Sequence, residues 1–178
     1  MTLKKPINEH EATMTEMVLP NDTNTLNNLM GGRLMQWMDV VAAIAAQRHS
    51  NALVVTAAVD NISFNHPIRL GNVVTLKAKV TRAFNTSMEV FIEVFAEDIP
   101  AGRKERTHQA FFTFVAVDKQ NIPIKVPEIV PSTLSERKLY DGALKRRQLR
   151  LVFANRMNPQ DAEELKSFFN FTESNKTQ

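Results

Sequence analysis

Asp39 is the residue whose type and setting first suggest chemistry, because it is the only carboxylate in the strongly apolar stretch 33–49. A buried carboxylate without a partner costs several kcal/mol, so Asp39 should have either a partner or a function. A carboxyl group in such a place is suited to acid–base catalysis. A structural alternative is that Asp39 faces a solvent-filled seam or caps a neighbouring turn.

Gly31 and Gly32 directly precede this stretch, and Asn24 lies in the polar turn before them. The first N–H groups of a helix have no partner within the helix and lie at the positive end of its dipole. The two glycines are therefore candidates for stabilising an oxyanion, or they simply form a tight turn. Asn24 is a turn residue by default, and a functional role depends on its neighbours in space.

The elements that must position these residues are predicted from hydrophobic periodicity and from turn residues. Residues 33–49 contain strong helix formers and no internal glycine or proline, and Arg48 and His49 suit the helix end. Apolar alternation predicts strands, and further helices follow Pro131. The predicted strands cover residues 11–19, 54–59, 74–81, 88–96 and 110–117, and the later helices cover 132–153 and 158–169.

This order of elements predicts an α+β architecture with one long helix against one antiparallel sheet. The helix is apolar on most sides, so either the sheet curls around it or a second copy of the chain completes its burial. Both solutions favour an oligomer. Pro123, Pro127 and Pro131 indicate an extended linker, so we expect one domain over residues 1–130 and a helical extension over residues 131–178.

Composition excludes several classes of protein. The 178 residues include no cysteine, which rules out a disulfide scaffold, a zinc finger and a thiol nucleophile. The four histidines lack metal-binding spacing, and five glycines leave little room for a dinucleotide fingerprint, so we expect no metal. A net charge of +3 does not indicate nucleic-acid binding, and no stretch is long enough to span a membrane. We expect a cytoplasmic protein without a signal peptide.

Several motifs at consistent spacing give the sequence a family resemblance. Gly31-Gly32 and Met38-Asp39 follow an Asp-Thr-Asn turn that ends at Asn24. Arg48-His49 and a Val-Val-Thr-Ala run follow further along the chain. A second segment contains Asp60, Phe64, Pro67 and Gly71, and the predicted strand at 112–118 comes after it. Over residues 8–130 the chain resembles the acyl-CoA thioesterases of the hotdog fold, the YciA-like and cytosolic acyl-CoA hydrolase group.

The resemblance implies a sheet that wraps the long helix and two such domains that pair into a continuous sheet. It places active sites at the dimer interface and implies homo-oligomers that include trimers of dimers. Asp39 matches the family's catalytic acid, and Asn24 matches a companion supplied by the opposite domain. The amide of Gly32, together with Gly31, matches the group that polarises the thioester carbonyl. The helices after Pro131 are expected on the oligomer surface or in a trimer of dimers.

The implied activity is hydrolysis of acyl-CoA to a fatty acid and coenzyme A, with no cofactor beyond the coenzyme A of the substrate. Asp39 would act as a general base or as a nucleophile. The nucleotide end of the substrate needs cations, and the candidates are Arg48, Arg82, Arg103, Lys104 and Arg106. Met30 departs from the family pattern, since many relatives have His there. Two alternatives on the same fold are a non-catalytic acyl-CoA sensor and a dehydratase.

Overall fold

The computed structural model describes residues 4–6, 10–60, 62, 64 and 66–166. They belong to two compact units, Met1–Val130 and Pro131–Gln178. The end of the last predicted helix, 158–169, lies outside the described residues. Among the residues that are described, no helix is long and apolar enough to cross a membrane.

The first unit is built around helix α1, Gly31–Ser50. The helix buries one stripe of side chains, which recur every three or four residues as one helix face requires. It ends at Asn51, which adopts the left-handed conformation and donates its N–H to the carbonyl of Gln47. The buried stripe consists of Leu34, Met38, Val41, Ala42, Ala45, Ala46 and His49. Three alanines in this stripe let the helix axis lie close to the sheet.

Five strands form one antiparallel sheet, in the order β2-β4-β5-β6-β3. The strands are β2 Ala12–Met17, β3 Leu53–Asp60, β4 Val73–Ala83, β5 Ser87–Asp98 and β6 Arg103–Val117. Helix α1 contacts every one of them. The predicted architecture of a long helix against a curved antiparallel sheet is therefore correct, and β3 is left at one edge of the sheet.

Strand β5 lies in the middle of the sheet. Glu89 and Phe91 alternate along it with Met88, Val90 and Ile92, and all five residues are buried. Phe91 packs against Phe111 of β6 with ring centroids 4.9 Å apart, and Glu89 Oε1 accepts a 2.7 Å hydrogen bond from Thr81 Oγ1. Both faces of this middle strand are therefore covered. Strand β6 also begins earlier than predicted, because residues 103–106 pair with the end of β5.

A second small sheet was not predicted. Strands β1, Lys4–Pro6, and β7, Glu128–Val130, pair in parallel. Each has only three residues, which is too short to show an alternating pattern. The segment predicted as an extended linker therefore ends in a strand of the first unit.

The second unit contains helix α2, Leu134–Phe153, as predicted. Thr133 caps it, and Glu136 completes a capping box. Where a helix was predicted from residue 158, Asn158 caps a short 3₁₀ turn, Pro159–Asp161, which has Pro159 in its first position. Gln148 Oε1 accepts hydrogen bonds from two backbone N–H groups of the segment that follows this turn, which holds that segment against α2.

Candidate active site

The N-terminus of α1 is open at its two glycines. Met30 is the N-cap residue and provides no side-chain hydrogen bond, so the N–H groups of Gly31 and Gly32 have no helical acceptor. A Cβ atom on Gly31 would lie 3.3 Å from the ring of Phe64, whereas one on Gly32 would meet nothing within 4 Å. Space therefore exists for a ligand atom beside Gly32, where the helix dipole favours negative charge.

The loop before α1 fixes Asn24 in a defined orientation. Its side-chain oxygen Oδ1 accepts hydrogen bonds from the backbone N–H groups of Leu26, at 2.9 Å, and Asn28, at 3.2 Å. Its side-chain N–H₂ group has no acceptor among the described residues and can donate to another molecule. An ion pair of 2.9 Å between Asp22 and Arg33 joins the same loop to α1. The loop and the helix start are therefore positioned together.

Asn24 and Gly31 line one cavity of about 390 Å³ in the first unit. Its wall combines these two polar groups with apolar side chains and with two histidines. The residues that line the cavity are Asn24, Asn28, Leu29, Gly31, Leu34, Phe64, His66, Pro67, Ile68 and His108. A cavity with an apolar wall and a few convergent polar groups is typical of a small-molecule site.

Asp39 lies elsewhere on α1 and is half-buried. Thr56 Oγ1 donates a 2.7 Å hydrogen bond to Asp39 Oδ1, which links the helix to strand β3. In the described part of the chain, Asn24 is not a hydrogen-bond partner of Asp39, and Asp39 does not line the cavity that contains Asn24. The structure of one chain therefore does not bring the two predicted catalytic side chains into contact.

Helix α1 and the edge strand β3 carry an apolar surface that one copy of the chain leaves exposed. This surface, which we call the α1–β3 face, combines the outward side of the helix with the edge strand of the sheet. Its large apolar members are Met35, Val40, Ile44, Leu53, Val55 and Val59. Exposed apolar patches next to an open strand edge indicate a protein–protein contact.

The five cations predicted to bind the nucleotide occupy different places. Arg103 pairs with Asp98 at 3.6 Å, Lys104 with Glu97 at 2.9 Å and Arg106 with Glu93 at 3.1 Å, all across the β5–β6 hairpin. Outside this hairpin, Arg48 donates to the backbone carbonyl of Glu11, and the guanidinium of Arg82 lies 5.6 Å from the ring centroid of Phe84. The structure thus brings three of the five together and separates the other two.

Arg69 was missed by the sequence analysis. It is exposed, and with Arg103 it lines a second cavity of about 200 Å³. His66 and Pro67 line both this cavity and the one that contains Gly31, so the two are neighbours. No sequence signal separated Arg69 from other surface arginines. Among the residues that the structure describes, no cluster of three His, Asp or Glu side chains could hold a metal ion.

Comparisons with known proteins show which family this sequence is similar to. The family model described as the thioesterase superfamily matches residues 26–102. Acyl-coenzyme A thioesterase 11 of Mus musculus is 40% identical over 148 residues, which are 83% of this chain and 25% of the mouse protein. The Bacillus subtilis protein YkhA, named an uncharacterized acyl-CoA thioester hydrolase, is 40% identical over 138 residues, 78% of this chain and 80% of that protein. This chain thus spans about a quarter of the mouse relative and most of the bacterial one.

Two solved structures extend the match to the fold. A hexameric acyl-CoA thioesterase in its apo form has a TM-score of 0.83 at 35% identity, over 85% of this chain and 97% of that one. The acyl-CoA hydrolase of Staphylococcus aureus, in complex with butyryl coenzyme A, coenzyme A and coenzyme A disulfide, has a TM-score of 0.79 at 32% identity, over 92% and 99%.

The Staphylococcus aureus enzyme was also solved as three single variants, in which an aspartate, a threonine or an asparagine is replaced by alanine. The replaced residues have the same order and spacing along that chain as Asn24, Asp39 and Thr56 have in this one. The resemblance seen in the sequence and the predicted hotdog fold are both confirmed. This chain belongs to the hotdog-fold acyl-CoA thioesterases of the thioesterase superfamily.

Proposed function

We propose that this chain hydrolyses acyl-CoA thioesters to a carboxylic acid and coenzyme A, at a site that two copies of the chain complete. The observation that carries the proposal is the position of Asp39, a carboxylate held by Thr56 within the apolar α1–β3 face. A second copy that covers this face would enclose Asp39 and bring its own loop and helix start toward it. The spacing shared with the three variants of the Staphylococcus aureus enzyme supports the choice of residues.

The proposed site divides the chemistry between the copies. The thioester carbonyl oxygen lies at the N–H groups of Gly32 and Gly31 of one copy, where the helix dipole stabilises the oxyanion. Asn24 of that copy donates its side-chain N–H₂ group to the carbonyl or to the attacking water. Asp39 comes from the other copy. This arrangement accounts for the separation of Asn24 and Asp39 within one chain.

Asp39 has two possible roles, and the geometry accommodates both. As a general base it takes a proton from water, whose oxygen attacks the carbonyl carbon; the C–S bond then breaks and the thiolate of coenzyme A leaves. As a nucleophile its carboxylate oxygen attacks instead, coenzyme A leaves, and water hydrolyses the resulting mixed anhydride. In either route a proton reaches the coenzyme A sulfur and the net change is addition of one water. No cofactor beyond the substrate's own coenzyme A is part of this proposal.

The phosphates of coenzyme A are proposed to lie in the cavity lined by Arg69 and Arg103. It adjoins the cavity of Gly31, so a substrate with its thioester at the helix start can extend into it. Arg69 is the stronger candidate because Arg103 is already paired with Asp98. Arg48, Arg82, Lys104 and Arg106 remain weaker candidates, since each of them already has a contact within the chain.

A homodimer through the α1–β3 face is part of the proposal, with the two β3 strands side by side in a continuous sheet. The hexameric state named for a structural neighbour supports a further assembly into a trimer of dimers. Residues 131–178 would stabilise that larger assembly, so removal of this unit should lower the oligomer mass. The absence of cysteine fits a cytoplasmic location, which fractionation of expressing cells tests.

Mixing two inactive variants tests the shared site. Asn24→Ala and Asp39→Ala are each expected to lose thiol release from acyl-CoA while keeping the oligomer mass. If each site takes Asn24 from one copy and Asp39 from the other, half of the sites in a mixed dimer are intact. Subunit exchange at equal amounts then restores about a quarter of the wild-type rate. No restoration after proven exchange would place both residues in one copy, and a wild type that binds acyl-CoA without releasing thiol would support the sensor alternative.

A further inference from the structure

His108 is a buried titratable residue that the proposed mechanism does not use. It lies in β6 opposite Val94 of β5 and is only 5% exposed. Neither of its ring nitrogens has a hydrogen-bond partner among the described residues. Because buried polar groups are almost always hydrogen-bonded, an exception in a folded protein calls for an explanation.

The place of His108 in the fold supplies that explanation. It lines the same cavity as Asn24 and Gly31, with the ring of Phe64 at 5.7 Å between centroids. The side-chain oxygen of Asn24 is already occupied by two backbone N–H groups. The described residues therefore leave the imidazole available to a molecule that fills the cavity.

The charge state of His108 limits what that molecule can present. Burial, with a smaller effect of nearby His66, lowers the pKa of His108 below its ordinary value of 6.5. At neutral pH the ring is uncharged and has one N–H donor and one nitrogen acceptor. A neutral imidazole in this position suits a hydroxyl or ketone group better than a carboxylate, which would need a cation.

We propose that His108 is a specificity-determining residue, and that the chain prefers acyl-CoA substrates whose acyl group carries a hydroxyl or keto group near the thioester. This inference rests on the proposed function, because it assumes that the acyl group enters the cavity beside Gly31. An unsubstituted chain of the same length would fill the cavity but leave both ring nitrogens without a partner. Sites built to hydrogen-bond a substrate group discriminate strongly against analogues that lack it.

The test compares kcat/KM for butyryl-CoA with that for 2-hydroxybutyryl-, 3-hydroxybutyryl- and acetoacetyl-CoA. We expect the wild type to favour at least one substituted substrate by about tenfold or more. His108→Leu should remove or reverse this preference, mainly by losing activity on the substituted substrate. His108→Gln retains a donor and an acceptor and should restore part of the preference.

Thr113→Val is the matched control. Thr113 is another buried residue of β6 whose hydroxyl has no hydrogen-bond partner in the described part of the chain, but it does not line the cavity. Its variant should keep the wild-type substrate ratio. If folded His108→Leu kept the wild-type ratio of kcat/KM between the substituted and unsubstituted substrates, the inference would be overturned. This includes an equal loss of activity on all substrates, which would indicate that His108 contacts the pantetheine arm or has a structural role. A wild type without activity on any acyl-CoA would instead reject the proposed function.

Discussion

Thr56 Oγ1 donates its only proton to Asp39 Oδ1 at 2.7 Å, and so ties the edge strand of the sheet to the outward side of α1. The second carboxylate oxygen, Oδ2, has no hydrogen-bond partner among the described residues. The carboxylate is therefore held in one orientation by one oxygen and can use the other for water or for the substrate. Threonine is suited to this role because its branched side chain has few rotamers in a strand.

Replacement of Asp39 by Asn should abolish most of the activity without unfolding the protein. The amide keeps the size of the side chain but can neither accept the proton of water nor attack the carbonyl. We expect kcat to fall by about 10²–10⁴-fold with KM nearly unchanged. Asp141→Asn, at an exposed carboxylate of α2, is the control and should retain the wild-type rate. Comparable rates for the two variants would exclude Asp39 from the chemistry.

Thr56→Val tests the orientation of Asp39 separately from its chemistry. Valine has almost the same shape but cannot donate a hydrogen bond, so the carboxylate should occupy several orientations. We expect kcat to fall by about tenfold, as loss of a hydrogen bond to a charged group implies, while KM changes little. Thr56→Ser keeps the hydroxyl and should recover most of the rate. A wild-type rate in Thr56→Val would show that this hydrogen bond does not position Asp39 for the reaction.

The local part of this site could be predicted from the sequence, and the reason is physical. Gly31, Gly32 and Asp39 belong to one continuous helix whose composition and entrance are visible in a short window. The same holds for α2 and its Thr133 cap. Asn24 carried only a turn signal, and the family resemblance was needed to give it a function.

Residues that the fold brings in from a distance could not be predicted in this way. Thr56 contacts Asp39 only because β3 lies at the sheet edge next to α1, and His108 lines the same cavity as Gly31 only through the position of β6. Such contacts depend on strand order and register, which alternation does not determine. The burial of both faces of β5 has a similar cause, because the cover of its second face comes from neighbouring residues that the pattern of one strand does not show.

Arg69→Ala should weaken substrate binding without affecting the chemical step. If Arg69 contacts a phosphate of coenzyme A, its loss should raise KM for acyl-CoA about tenfold and leave kcat unchanged. The same variant should not differ from the wild type on an acyl-pantetheine, which lacks the nucleotide. Lys125→Ala, at another exposed cation, serves as the control. A rise in KM of equal size on both substrates would place the effect of Arg69 away from the phosphates.

Ile44→Glu should dissociate the proposed dimer and remove activity with it. Ile44 is exposed on the outward side of α1 in the single chain, and a charge there would be buried when a second copy covers the α1–β3 face. Light scattering should show a smaller particle, and thiol release should fall in parallel because the proposed site needs two copies. Ile99→Glu, at an exposed apolar residue in the turn after β5, should change neither property. An unchanged mass for Ile44→Glu would show that the copies meet elsewhere.

The stability of the protein should respond to the protonation of His108. Burial, and secondly the charge of His66, lower the pKa of His108 in the folded state, while the unfolded chain keeps the ordinary value of 6.5. Above pH 6.5 the ring is neutral in both states and contributes no pH dependence. Below pH 6.5 the unfolded chain binds the proton before the folded protein does, so the free energy of unfolding falls as pH falls. This group contributes at most about 1.4 kcal/mol per pH unit.

His108→Gln cannot take up that proton, so its free energy of unfolding should fall less steeply with acid than that of the wild type. Urea unfolding of both proteins between about pH 7.5 and pH 5 measures the difference, while carboxylates common to both cancel. Thr113→Val, which changes no titratable group, should follow the wild-type slope even if it shifts the whole curve. Parallel curves for wild type and His108→Gln over this range would mean that His108 titrates alike in the folded and unfolded states, and the neutral imidazole invoked for substrate selection would lose its physical basis.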